Sequence, residues 1–292
     1  MRHPLRYRLE WLALQMLRWK ARLVPRRVAL AGGAVLGRLI SAVWSRRRRI
    51  ARDNLQRAYP EWTVDQVDTT ARGVFEHFGR TTVEILRVSP RTRAELSKLV
   101  DPHNAESIDA LYRDGRGGLL VSGHIGNWEL LAGWIAASGY PLDVVVKPMR
   151  NPLSDRLYND RRRDLGVRVI QTQVATRGIV ESVKARRLVA ILADQHAGEE
   201  GVTVTFFGRP VSTPRGPAVL SLRFGCPILT GVMVRKDDGR FDAFIDGVLD
   251  YTPTGDEERD VRALTQAYTT RLENHIRRFP SQWLWTHRRW RG

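Results

Sequence analysis

The spacing of apolar positions divides the chain into two regimes. Met1 to Trp19 is basic and studded with Leu5, Tyr7, Leu9, Trp11, Leu12, Leu14, Met16, Leu17 and Trp19, and it reads as an amphipathic helix. Arg18 and Lys20 leave it no uninterrupted apolar stretch of the secretory type. Val28 to Trp44 is apolar and Gly-rich but broken by Arg38, close to the shortest length that crosses a bilayer; it predicts a helix packed on the domain or lying in a membrane interface. Arg46 to Tyr59 opens with four arginines and continues as a helix. Thr63 to Arg87 is a further amphipathic helix, with Val64, Val67, Val74, Phe75, Phe78, Val83 and Leu86 at helical intervals and His77 as a structural histidine.

From Gly117 the rhythm changes. Short apolar runs at Leu119 to Val121, Leu142 to Val146, Val167 to Ile170 and Leu188 to Leu192 alternate with helix-length segments. This is the βαβ pattern of a mostly parallel central sheet flanked by helices. Val202 to Phe207 alternates, Pro214 to Phe224 reads as a helix, and Pro227 to Val234 with Arg240 to Leu249 predict a hairpin around Asp237-Asp238-Gly239. Asp256 to Phe279 is a last helix. Two regions follow: residues 1–100, helical and membrane-associating, and residues 101–292, an α/β domain.

In such a sheet the strand ends gather at one edge. His124 follows the first strand, Lys147 to Arg150 the second, and Asp194-Gln195-His196 the fourth, so polar groups distant in sequence meet on one rim. The stretch Gly117 to Trp134, GGLLVSGHIGNWELLAGW, is the centre of this arrangement. On a continuous helix His124 and Glu129 would point roughly 140° apart. With His124 on the loop and Glu129 in the first helical turn, the carboxylate can fold back onto one imidazole nitrogen and leave the other free, a base and its orienter.

Composition narrows the partners. A net charge of +17, with arginine far in excess of lysine, favours a polyanionic partner: nucleic acid, anionic lipid or a phosphorylated substrate. An Arg-rich proteome would give the same excess. The single Cys226 excludes an internal disulfide and fits a reducing compartment. No metal is expected, since Asp194 and His196 sit on one short loop without a further ligand at recognisable spacing, and the chain has neither a Walker loop nor a GxGxxG turn.

The SGHIGNWE segment, His-x4-Glu between a strand and a helix, resembles the signature of the lysophospholipid acyltransferase superfamily, and within it the bacterial lipid A late acyltransferases. Arg49-Ile-Ala-Arg-Asp-Asn-Leu55 with Tyr59-Pro60, Asn151-Pro152-Leu153, Phe206-Phe207-Gly208-Arg209-Pro210 and Gln282-Trp-Leu-Trp285 resemble further blocks of that family, so the likeness covers nearly the whole chain. It implies a glycerol-3-phosphate/lysophospholipid acyltransferase-like fold without a cofactor. It also implies catalytic His124 and Glu129, with Arg162 approaching the pair, Asp194 as the acid of an Asp-Gln element, and Arg150 among substrate-binding residues. Arg162 is chosen over its neighbours in Arg161-Arg162-Arg163 by register alone. Phe206 and Phe207 read equally as pocket walls or as ordinary packing.

The implied reaction moves a fatty acyl group from acyl carrier protein, or from acyl-CoA, to a hydroxyl of a lipid A precursor or similar glycolipid. Its expected location is the cytoplasmic face of the inner membrane, on an anionic lipid surface. Oxyanion charge would be stabilised by backbone N–H groups after Gly126 or by the arginines. The same fold could serve another acceptor, such as a phosphatidylinositol mannoside, an ornithine lipid or a lysophospholipid. A nucleic-acid-binding module would explain the charge, but no helix-turn-helix, zinc finger or aromatic RNA-binding pattern accompanies it, and nucleic acid is not the expected partner.

Overall fold

The computed structural model describes residues 4–290; the first three residues of the amino-terminal segment and the last two of the basic tail lie outside the described residues. Five helices come first: α1 (Leu5–Leu23), α2 (Arg26–Val43), α3 (Ser45–Ala58), α4 (Val64–Arg87) and α5 (Pro90–Leu99). Pro25, which cannot supply an N–H to the preceding helix, separates α1 from α2. Thr63 and Gln66 close a reciprocal capping box at the start of α4. Helices α2 and α4 touch backbone to backbone: a Cβ on Gly37 would lie 2.1 Å from the Phe75 carbonyl oxygen, and one on Gly79 2.0 Å from that of Gly33.

The remainder alternates. β1 (Val100–His103), α6 (Glu106–Arg113), β2 (Gly118–Ser122), α7 (Trp128–Ala137), β3 (Leu142–Val146), α8 (Pro152–Asp164), β4 (Arg168–Gln171), α9 (Ala175–Lys184) and β5 (Leu188–Leu192) lead to a small hairpin, β6 (Val202–Phe206) and β7 (Arg209–Thr213). Then follow α10 (Gly216–Phe224), β8 (Ile228–Arg235), β9 (Phe241–Val248) and α11 (Glu257–Arg278). Seven strands form one sheet in the order β1-β9-β8-β2-β5-β3-β4. Every pair is parallel except β8 with β9. The mostly parallel sheet flanked by helices is therefore the one expected. Strand β1 and the second arm of the small hairpin were not: each is short and lacks a continuous apolar run.

Alternate residues of the central strands feed two cores. Leu119 and Val121 of β2, with Ile228, Val232 and Val234 of β8, pack with α3, α4, α11 and the carboxy-terminal tryptophans. Leu120, Leu229 and Met233 pack with α5, α6 and α7. The period of two along each strand assigns the two clusters to opposite faces of the sheet. Helices α3 and α4 thus share a core with the sheet.

The first two helices leave much apolar surface uncovered. Leu5, Leu9, Leu12, Met16, Trp19 and Leu23 of α1 are exposed at steps of three or four residues, a single stripe, and Val28, Val35, Leu39 and Val43 of α2, at steps of seven and four, form another. No single described helix is long and apolar enough to cross a membrane; α2 and α3 pass that test only as a pair bent by 95°.

Candidate active site

Strand β2 is wholly buried at the middle of the sheet, and it delivers His124 to the edge on the loop before α7. Its neighbour β5 runs parallel to it with Ser122 opposite Leu192, and the ladder continues as the Ala193 N–H donates to the Ser122 carbonyl at 3.0 Å. That register places position 194 across from position 124. Asp194, with its side chain 3% exposed, accepts from His124 Nδ1 at 2.8 Å and from the His124 backbone N–H at 2.7 Å. The Trp283 indole N–H donates to the same carboxylate at 2.8 Å.

An ionised carboxylate can only accept, so the proton of the neutral imidazole sits on Nδ1, and Nε2 carries the free lone pair. Burial would raise the Asp194 pKa, but the facing His124 and the three N–H donors outweigh it and hold the group down to about 2. The His124 side chain remains 21% exposed, with the Trp128 ring set edge-on at 4.9 Å.

Glu129 departs from expectation. It lies in the first turn of α7, but its carboxylate is gripped by the Arg162 guanidinium of α8, Nε to Oε2 at 2.9 Å and an Nη to Oε1 at 2.5 Å. The pairing of His124 with Glu129 is thus replaced by two pairs, His124 with Asp194 and Glu129 with Arg162. The reason is geometric: the parallel register puts a carboxylate directly beside the imidazole, while the first turn of α7 points Glu129 at the neighbouring helix. Burial would lower the Arg162 pKa; the paired Glu129 charge more than offsets this and raises it. Arg162 is also the arginine selected by register, and a third hydrogen bond runs from its Nη to Asn159 Oδ1 at 2.7 Å.

Other expectations resolve in the same frame. Arg150 is exposed on the loop after β3 and stands outside the two pairs. Of the N–H groups after Gly126 expected as oxyanion donors, that of Asn127 instead donates to the Met233 carbonyl at 2.8 Å, as the Gly126 N–H does to the Gln282 carbonyl at 2.8 Å. The next two N–H groups, of Trp128 and Glu129, open the helix and have no intrahelical acceptor. Phe206 and Phe207 are buried edge-on against Trp283 and Trp285, which makes them packing residues. His77 is buried with Nε2 2.9 Å from the Gly126 carbonyl, a structural histidine as read.

Near this cluster lies a groove of about 470 Å³ where α2, α4 and the carboxy-terminal segment meet, lined by apolar Leu36, Ile40, Phe75, Phe78 and Leu284, by polar Arg47, Thr82, Thr286 and His287, and by Gln195, the residue after Asp194. Phe78, on the groove wall, meets Trp128 at 6.0 Å between ring centres, and Trp128 in turn lies against His124. Sequence reasoning missed the direct grip of Trp283 on Asp194; the Gln282 to Trp285 motif flagged the segment but not the contact.

An imidazole base oriented by a buried carboxylate, at the strand ends of an α/β sheet and beside apolar space, is the equipment of acyl-transfer enzymes. The comparisons make the class specific. The sequence model of the bacterial lipid A biosynthesis acyltransferase family matches residues 1–292, and the chain belongs to that family. It is an acyltransferase. Among its relatives, a lipid A biosynthesis palmitoleoyltransferase from Escherichia coli is 28% identical over 99% of this chain and 92% of its own length. A phosphatidylinositol mannoside acyltransferase from Mycolicibacterium smegmatis is 25% identical over 80% of this chain and 76% of its own. A lipid A biosynthesis acyltransferase from Haemophilus influenzae is 25% identical over 86% and 77%.

Proposed function

We propose that the protein transfers a fatty acyl group from a thioester, carried on acyl carrier protein or coenzyme A, to a hydroxyl of a glycolipid of the lipid A precursor class, at the cytoplasmic face of the inner membrane. The observation that carries this reading is the His124 imidazole, fixed by Asp194 through Nδ1 so that Nε2 keeps its lone pair, and linked through the Trp128 and Phe78 rings to the groove. His124 Nε2 takes the proton of the acceptor hydroxyl as its oxygen attacks the thioester carbonyl; the tetrahedral adduct then collapses, expelling the thiolate, which takes up the proton. Asp194 stabilises the imidazolium during the step. The Trp128 and Glu129 N–H groups, at the positive end of α7 and without intrahelical acceptors, would serve as backbone donors for the oxyanion. Glu129 and Arg162 neutralise each other and brace α7 against α8 on that side of the site.

The groove between α2 and α4 falls in the range of pockets that hold small ligands, about 300–1,000 Å³, and its walls suit an acyl chain. The exposed stripes of α1 and α2 support attachment to the bilayer surface, with Trp19 and Trp44 at headgroup depth and the arginines of α3 near lipid phosphates. A second acceptor class, phosphatidylinositol mannosides, is favoured by the relative bearing that name.

Purified protein incubated with acyl carrier protein thioesters, acyl-CoA and a panel of lipid A precursors and inositol mannosides, read by mass spectrometry, tests the proposal. Acylation of a glycolipid that His124→Ala abolishes is the expected result. No acylated glycolipid from any pairing would remove it.

A further inference from the structure

The loop that presents His124 is held from behind by charges that the reaction itself does not use. We propose that His77, Arg235 and Glu84 form a positioning unit that fixes the peptide between Gly126 and Asn127, and through it the catalytic loop. The proposal rests on the acyl-transfer reading above.

The carbonyl of that peptide takes the His77 Nε2–H at 2.9 Å, and its N–H donates to the Met233 carbonyl at 2.8 Å. Both ends are engaged, so the peptide cannot rotate. Gly126 has φ +60°, and a Cβ there would lie 1.7 Å from the Met233 oxygen, so the loop approaches β8 more closely than any other residue allows. The next side chain is equally constrained. Asn127 Oδ1 caps α7 by accepting from the Leu130 N–H at 3.1 Å, while its Nδ2 donates to Glu84 Oε2 at 2.8 Å.

These two anchors are joined. Arg235 donates to Glu84 through Nε at 2.9 Å and through an Nη at 2.5 Å, and its other Nη donates to His77 Nδ1 at 2.8 Å. Arginine has no acceptor, so His77 Nδ1 must accept and its proton must lie on Nε2, where the Gly126 carbonyl needs it. The contacts therefore close a ring: Gly126, His77, Arg235, Glu84, Asn127. Glu84 and His77 are 5% and 3% exposed. A carboxylate as deep as Glu84 is costly unless its oxygens are satisfied, and here they accept from Arg235, from Arg26 and from the loop residue Asn127. The catalytic consequence lies two residues away. The orientation of the Gly126–Asn127 peptide sets where the loop leaves His124 and where α7 begins, and hence how His124 faces Trp128 and the first-turn N–H groups.

The test separates this role from simple packing. His77→Leu removes the donor, whereas His77→Gln returns an amide N–H near the imidazole Nε2 position. Asn127→Ser retains a capping oxygen for α7 but loses Glu84. For His77→Leu and Asn127→Ser, kcat is expected to fall by up to about a hundredfold, the scale of a small misplacement at a reacting centre, with KM for the acyl donor unchanged. His77→Gln should recover most of the loss. Imidazole ¹⁵N NMR supplies a readout independent of turnover: the His124 Nδ1–H signal is sharp in the wild type and His77→Gln and broadened by exchange in the other two. Wild-type kcat and an unaltered His124 signal in His77→Leu would overturn the proposal, as would equal impairment of Leu and Gln variants. If the wild type transfers no acyl group while the NMR pattern holds, the functional reading fails and the positioning unit stands.

Discussion

Replacing Asp194 by Asn distinguishes the two candidate partners of His124. The Asp194 Oδ2 accepts two hydrogen bonds, from the His124 backbone N–H and the Trp283 indole, and Oδ1 accepts one, from His124 Nδ1. An asparagine will place its single oxygen where two donors converge, because the reverse leaves two buried N–H groups facing an NH₂. The amide nitrogen then lies against His124 Nδ1 and donates to it. The imidazole must accept there and move its proton to Nε2, so the lone pair needed for the acceptor hydroxyl is lost while the outline of the site is preserved. In a Ser-His-Asp triad this inversion lowers kcat by about 10⁴, equivalent to roughly 5.5 kcal/mol of barrier. Asp194→Asn is expected to lose kcat on that scale with little change in KM, in a steady-state assay of thioester consumption with labelled glycolipid product. Glu129→Gln leaves the His124 tautomer in place. A rate for Asp194→Asn within tenfold of wild type, alongside a Glu129→Gln variant that is inactive but folded, would refute the assignment of Asp194 as orienter.

Removing one side of the Glu129–Arg162 pair leaves a buried charge without its partner, and Arg162→Met should destabilise the fold by roughly 3–5 kcal/mol in urea unfolding. Asp194 has its pKa depressed to about 2, so its contribution of about 2 kcal/mol is complete above the unfolded value near pH 4 and lost as pH falls towards about 2; in His124→Ala, which relaxes the depression, acid unfolding should begin at higher pH. Gly126→Ala should unfold at markedly lower temperature, since its Cβ has no space beside Met233, whereas Gly139→Ala, with positive φ but an open surround, should cost far less. Leu9→Glu with Met16→Glu should weaken sedimentation with anionic vesicles at least about tenfold, given about 1.5–3 kcal/mol for each apolar side chain buried; unchanged sedimentation would contradict the lipid-facing stripe.

What the sequence determined by itself was periodic or local. The 3.6-residue spacing along Thr63 to Arg87 and the apolar runs at Leu119, Leu142, Val167 and Leu188 identified elements and the parallel βαβ sheet, because burial on one face writes itself into consecutive residues. The segment SGHIGNWE singled out His124 as the candidate base through the residues adjacent to it. The tertiary structure decided which acid serves it. Sequence proximity favoured Glu129, five residues on. The partner is Asp194, 70 residues on, because the pairing of Ser122 with Leu192 fixes which loop residues face each other across two strands, and no local pattern encodes a register between strands. Glu84 and Arg235 were illegible for the same reason: each looks like one more charge in a chain with many, and only packing of α4 against β8 brings them behind the loop. Periodicity records which side of an element is buried; it does not record what lies against it.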